Sequence, residues 1–122
     1  MKFVLPLPPS INNTYGVSRR GTQALYKREV VKEWEGKAGW IIKRQLLKMG
    51  SEKKLLPYKG KIRMEIGWFF LRNRDIDSGI KVLLDIFEDY KIYANDQQVI
   101  KINMKKEFDS KDPRVEVEIE LC

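Results

Sequence analysis

Histidine is absent from all 122 residues, and the single cysteine is Cys122, the last residue. Without histidine there is no Ser-His-Asp or Cys-His catalysis and no imidazole-held metal. One cysteine excludes an intramolecular disulfide and a cysteine-held zinc. Any chemistry therefore falls to carboxylates, lysines or a hydroxyl, and carboxylates favour Mg²⁺ or Mn²⁺ over zinc or copper. No apolar run approaches the roughly 20 residues that cross a bilayer. The start of the chain lacks the basic, apolar and small-residue succession of a signal peptide. A cytoplasmic protein with no membrane partner is the expectation.

What is present is a basic, globular composition. Lysine and arginine number 24 against 17 acids, for a net charge of +7. Such an excess suits phosphate contacts with nucleic acid. Solvated lysines also serve solubility, so charge alone does not choose. The apolar share of 43% is that of a folded protein, and the length predicts one domain over residues 1–122 with a core that needs no staples.

Phe3 to Leu5 reads as a short strand. Leu5-Pro6-Leu7-Pro8-Pro9-Ser10 then forbids a regular ladder or helix. Residues 11–23 read as a polar, glycine-punctuated loop with Arg19 and Arg20 near its tip, either a place for phosphate contacts or an ordinary surface loop. Residues 24–49 predict a long helix with Val31, Trp34, Ala38, Ile42 and Met49 on one stripe. Gly36 and Gly39 inside it either admit a close neighbour or bend it. Trp40 and Leu47 lie off the stripe, which suggests a second buried surface, such as a subunit contact, or an exposed edge.

The clearest strand alternates Ile62, Met64, Ile66, Trp68 and Phe70 with Lys61, Arg63 and Glu65. Phe69 and Leu71 break the pattern and predict burial on both faces there. A second helix is expected from Ser78 to Tyr90, with Ile80, Leu83, Leu84 and Phe87 at helical spacing. After the Ala94-Asn95-Asp96 turn, a strand carries Ile100, Ile102 and Met104 on one face and Lys101, Asn103 and Lys105 on the other. A turn at 109–113 leads to a last strand alternating Val115, Val117, Ile119 and Leu121 with glutamates. Antiparallel pairing of the last two strands would set those glutamates against the lysines on a solvated face. The order β-α-β-α-β-β predicts an α+β domain, with two helices on one face of a mixed four-stranded sheet.

Between the clearest strand and the second helix lies Arg74-Asp75-Ile76-Asp77-Ser78-Gly79-Ile80-Lys81. Acids at i and i+2 point the same way on extended backbone. Two carboxylates would then stand at a strand-to-helix corner, with Lys81 one turn along and Asp96 at the entry to the next strand. Aspartate-held metals can activate water, neutralise a phosphate and assist the leaving oxygen. Lys81 would add positive charge against the phosphate or lower the pKa of the attacking water. The same residues admit a plainer assignment: Asp77 or Ser78 as a helix cap, Asp75 paired with Arg74 or Arg72, and Asp96 as a turn residue.

These residues resemble a known family. Arg74-Asp75-Ile76-Asp77-Ser78, then Lys81 and Asp85, then Asn95-Asp96-Gln97-Gln98-Val99, is similar to the RusA family of Holliday-junction resolvases. That family's pattern is D-x-D-N, a lysine four residues after the second aspartate, and a later D-D-x-x-V. The proline-rich start with Asn12, Asn13 and Tyr15 agrees with it. The resemblance implies a homodimeric endodeoxyribonuclease that uses Mg²⁺ (or Mn²⁺), needs no organic cofactor, and nicks four-way junction DNA in symmetrical pairs. It implies Asp75, Asp77 and Asp96 as metal-binding and catalytic aspartates and Lys81 as the essential lysine. Arg74 matches a basic position before them, and Arg19, Arg20, Arg72 and Arg74 are the candidate DNA contacts. Ser78 stands where asparagine is expected, and Asn95 where the first acid of the later pair is expected. Those departures keep two alternatives open: a DNA-junction-binding protein without catalysis, and a metal-dependent nuclease for another branched nucleic acid.

Overall fold

The structure is a computed structural model that describes residues 1–9 and 21–122, with side chains in the first helix described from residue 29. The Ile11–Arg20 part of the expected loop, including Arg19 and Arg20, lies outside the described residues. In chain order the elements are β1 (Lys2–Leu5), α1 (Gly21–Lys48), a 3₁₀ turn at Ser51–Leu55, β2 (Ile62–Phe70), α2 (Ile80–Asp89), a 3₁₀ turn at Asp96–Gln98, β3 (Val99–Phe108) and β4 (Arg114–Leu121). The expected order of strands and helices holds. Both helices start away from their sequence estimates: α1 begins three residues earlier, and α2 two residues later.

The four strands form one mixed sheet in the order β1-β4-β2-β3. Strand β2 is central, antiparallel to β4 and parallel to β3. This corrects the expected β3–β4 hairpin. Both strands flank β2, so Glu118 lies opposite Glu65 and Glu120 opposite Arg63, while Lys101 meets Arg63 from the other side. The turn at 109–113 carries the chain over the end of β2, where the Asp109 amide bonds to the Phe70 carbonyl at 3.0 Å.

Period-two burial builds one face of the core from Phe3 and Leu5, Met64, Ile66 and Trp68, and Val115, Val117 and Ile119. Trp34, Ala38 and Ile42 of α1, with Leu83, Ile86 and Phe87 of α2, complete it. The interior resists further filling at one crossing. A Cβ at Gly39 would overlap the Tyr90 Oη, and its Cζ lies only 2.5 Å away. Of the two alternatives for the helix glycines, close approach applies at Gly39. Gly36 has open space around it.

The helices do not cover all of this sheet face. Strand β3 is the edge, and its apolar residues Ile100 and Phe108 stay 57% and 60% exposed. Leu71 is also exposed (53%), and Phe69 is half-buried beneath the Arg114 guanidinium, 3.9 Å from its ring. The end of β2 is therefore not buried on both faces, because among the described residues no element covers its outer side.

Candidate active site

The proline-rich start is tied down beside the acidic corner. Proline has no N–H, but its carbonyls still accept. Trp34 Nε1 donates to the Pro6 carbonyl at 2.8 Å, and Arg74 Nη2 donates to the Pro8 carbonyl at 2.9 Å. Pro8 then packs on Gly79, where an added Cβ would come within 2.5 Å of its Cγ. A glycine is needed there for steric room, since any side chain would push the proline segment off the corner.

Arg74 is the keystone of this contact. Its Nε donates to the Ser78 Oγ at 3.1 Å, and its guanidinium lies 5.0 Å from the centre of the Phe70 ring. Burial lowers its pKa, yet a guanidinium stays charged at neutral pH. Ser78, the departure from the family pattern, is buried and serves as the acceptor for this arginine. Arg72, by contrast, is exposed.

The backbone of the corner is a turn. The Ser78 amide bonds to the Asp75 carbonyl at 3.0 Å, and the Ile80 amide to the Asp77 carbonyl at 3.4 Å. This corrects the premise of extended backbone from Asp75 to Asp77: the chain must reverse from β2 into α2. It also corrects the cap in the plainer assignment, since the cap residue of α2 is Gly79 and no side chain caps it, whereas Asp96 does stand in a turn. Asp75 and Asp77 are both exposed on the turn.

Asp96 is held at the far end of α2. Its amide donates to Glu88 Oε1 at 2.7 Å. Asn95 caps the 3₁₀ turn by accepting the Gln97 amide at 2.8 Å. An amide oxygen thus does there what a carboxylate oxygen would do, so the second departure from the family pattern keeps the local fold. Gln98 ties the turn to the entry of β2. Its Oε1 accepts the Ala94 and Asn95 amides at 2.9 Å each, and its Nε2 donates to the Tyr58 and Gly60 carbonyls at 2.7 and 2.9 Å.

Lys81 joins the two halves. Its Nζ lies 3.1 Å from Asp85 Oδ1 and 3.3 Å from Asp96 Oδ2. Hydrogen bonds to Asp85 first and Asp96 second hold its pKa above the ordinary lysine value. At neutral pH it is therefore an ammonium and acts as a fixed positive charge. Further along the helix pair, Glu35 of α1 senses Asp89 and Asp85 of α2. Partial burial is the larger cause of its raised pKa, and those two acids add to it. Spacing within one segment could not reveal Glu35, because it reaches the acids from another helix. Tyr93 is buried beside Asp96, and its hydroxyl donates to the Leu84 carbonyl at 2.6 Å. Burial raises its pKa strongly.

Carboxylates hold a hard divalent ion only when their oxygens converge at about 2.0–2.6 Å from it. Among the described residues no three acidic side chains converge in this way. Asp75 follows the end of β2 and Asp96 precedes the start of β3, which lies beside the start of β2. The turn and the start of α2 bring the chain back, so that Lys81 Nζ reaches Asp96. The three aspartates of this single chain do not form a closed cage for the implied ion.

Comparison with known proteins adds an independent line. A family model described as endodeoxyribonuclease RusA matches residues 6–120, nearly the whole chain. The chain belongs to the RusA family. Membership implies Holliday-junction resolution in general, with junction DNA as the substrate class, and RusA nucleases generally depend on a divalent metal. The matched residues contain the proline segment, the acidic corner, Lys81 and Asp96. No curated protein matches the chain. No helix among the described residues is long and apolar enough to cross a membrane.

Proposed function

We propose that this RusA-family protein is a divalent-metal-dependent endodeoxyribonuclease that resolves four-way DNA junctions by paired, symmetrical nicks. The observation that carries the reading is the Lys81–Asp96 contact. It brings together two segments 15 residues apart in the chain, at positions where the family pattern has its lysine and its last acid. Asp75, Asp77 and Asp96 are the proposed metal ligands, with Mg²⁺ or Mn²⁺ suited to an all-oxygen donor set. A bound ion would supply charge neutralisation at the phosphate and an activated water.

The chain's own residues contribute electrostatics and position. An ammonium has three N–H donors. Two of them serve Asp85 and Asp96, which leaves a third for a phosphate oxygen. Charge so placed favours the extra negative charge that develops as water adds to phosphorus and a P–O bond breaks. Arg74 and Gly79 act as positioning residues, because they lock the proline segment on the corner. Exposed Arg72 is the proposed DNA contact beside it, and Arg19 and Arg20 extend that proposal along residues outside the described ones.

A homodimer belongs to the same reading. A four-way junction has approximate two-fold symmetry and needs two matched cuts, which a C2 pair supplies. The uncovered apolar edge at Ile100, Ile102 and Phe108 supports a second copy as its cover. A cytoplasmic location, where the DNA substrate lies, completes the proposal.

The unconverged carboxylates favour a second reading, a junction-binding protein without catalysis. One assay separates the two: a synthetic four-way junction and a matched linear duplex, each with Mg²⁺ and with EDTA. Paired nicks in the junction alone, lost in EDTA, support the nuclease. Tight junction binding with no nicks in Mg²⁺ or Mn²⁺ overturns it in favour of the binding protein.

A further inference from the structure

The chain's positive excess is concentrated in one place. Residues 37–54 hold six cations, Lys37, Lys43, Arg44, Lys48, Lys53 and Lys54, against one acid, Glu52. That is a net +5 out of the chain's +7. At 100° per residue, Lys37, Trp40, Lys43, Arg44, Leu47 and Lys48 share the solvent side of α1, opposite buried Ala38 and Ile42; Glu33 lies there too and pairs with Lys37 at 3.4 Å, and Lys43 Nζ lies 5.7 Å from the centre of the Tyr90 ring. Trp40 is 60% exposed and Leu47 76% exposed. The Arg44 guanidinium lies 4.6 Å from the centre of the Trp40 ring. Cations interleaved with an open aromatic ring suit a nucleic-acid strand, in which phosphates alternate with flat bases.

We propose that this outer face of α1 is a second DNA-contact surface, distinct from the acidic corner. It holds a junction arm by phosphate contacts from Lys43, Arg44 and Lys48, with Trp40 stacking on a base where strands part. The proposal rests on DNA being the partner, as the nuclease and binding-protein readings both have it. Its place in the fold is suited to an arm. Helix α1 passes the acidic corner at Trp34, which bonds to Pro6, crosses the end of α2 where Gly39 meets Tyr90, and then runs on. Two other occupants fit less well. An interfacial membrane helix needs a broad apolar face, whereas here Trp40 and Leu47 stand among four cations. A second copy laid on this face would bring like charges together.

The test compares the salt dependence of junction binding, in EDTA, for wild type, Arg44→Gln/Lys48→Gln, and a control of equal charge, Lys2→Gln/Lys111→Gln. Each lost phosphate contact lowers the slope of log K against log salt by about 0.9. The α1 pair is expected to lower it by about 2, with the control near wild type, and Arg44→Lys is expected to keep the wild-type slope. Trp40→Ala is expected to weaken junction binding about tenfold or more, within the usual span for base stacking. Circular dichroism melting of each variant confirms the fold.

An α1 pair that matches the control overturns the surface. So does a Trp40→Ala variant that changes the oligomeric mass in light scattering while binding DNA as wild type does, which would assign the face to a second copy. Capture of wild type by phosphatidylserine vesicles, lost in Trp40→Ala with DNA binding intact, overturns it in favour of a membrane. The nicking assay on the same proteins keeps the two proposals apart. Wild type that binds through α1 but never nicks sinks the nuclease alone, and variants that nick with an unchanged slope sink the α1 surface alone.

Discussion

Lys81 Nζ lies 3.3 Å from Asp96 Oδ2, joining the first turn of α2 to the 3₁₀ turn that feeds β3. A cation in the first turn of a helix opposes the helix dipole. The structure offsets that cost with Asp85, one turn on, and Asp96. The lysine is thereby held between an acid of its own helix and the turn that carries Asp96.

Lys81→Ala is expected to lower junction cleavage by about 10²–10³-fold, the usual effect of losing a preorganised charge at a developing anion. Junction affinity should change little, because most of the positive charge lies elsewhere. Single-turnover cleavage and filter binding on the same preparations check both parts. Wild-type cleavage by this variant would remove Lys81 from the chemistry.

The pH dependence of Lys81 has a defined sign. Its folded pKa is above the ordinary 10.5, so the stabilisation it brings is complete below that value. It is lost only as pH rises through the higher, folded value. Between pH 7 and 10 neither the melting temperature nor the cleavage rate should fall through Lys81, as melting curves and rate profiles of wild type against Lys81→Ala will show.

Glu35 follows the same sign in a lower range, but there it leaves a penalty at neutral pH. Its folded pKa is raised above 4.5 by burial and then by Asp89 and Asp85, so the folded protein binds the proton more readily than the unfolded chain. Stability falls as pH rises through that window, and the penalty is full at pH 7. Glu35→Gln should raise the melting temperature at pH 7 and leave it unchanged well below pH 4.5. A lower melting temperature at pH 7 would refute this.

Gly39→Ala tests the helix crossing. Overpacking typically costs about 1–3 kcal/mol, against a gain of about 1 kcal/mol in helix propensity. The variant should be destabilised in the wild-type background. In Tyr90→Ala the same change should be neutral or stabilising, since the overlapping ring is gone. Urea unfolding of the four proteins gives the coupling, and additive effects would mean the crossing is looser than the structure has it.

Gln98→Ala removes a side chain with four hydrogen bonds to backbone. Each is worth about 0.5–1.5 kcal/mol, so a loss of about 2–6 kcal/mol is expected. Cleavage should fall as well, because the turn that carries Asp96 loses its tie to β2. Thermal melting and the junction assay measure the two effects.

Much of the architecture could be read directly from the chain. The alternation Ile62-Met64-Ile66-Trp68-Phe70 leaves only one face able to bury, and Trp34, Ala38 and Ile42 recur at helical spacing, so element type followed from periodicity. The lack of histidine and the lone cysteine confined any chemistry to carboxylates and lysine. Local periodicity carries no information on which strands pair. Only the tertiary structure decided that β2 lies between β3 and β4, which breaks the expected facing of glutamates and lysines. The same parallel pairing puts Asp96 beside the start of β2, where Lys81 meets it only because the chain turns back after β2. The roles of Arg74 and Gly79 were equally invisible, since their partner Pro8 lies 66 residues from Arg74 and meets them only when the sheet brings β1 beside the core.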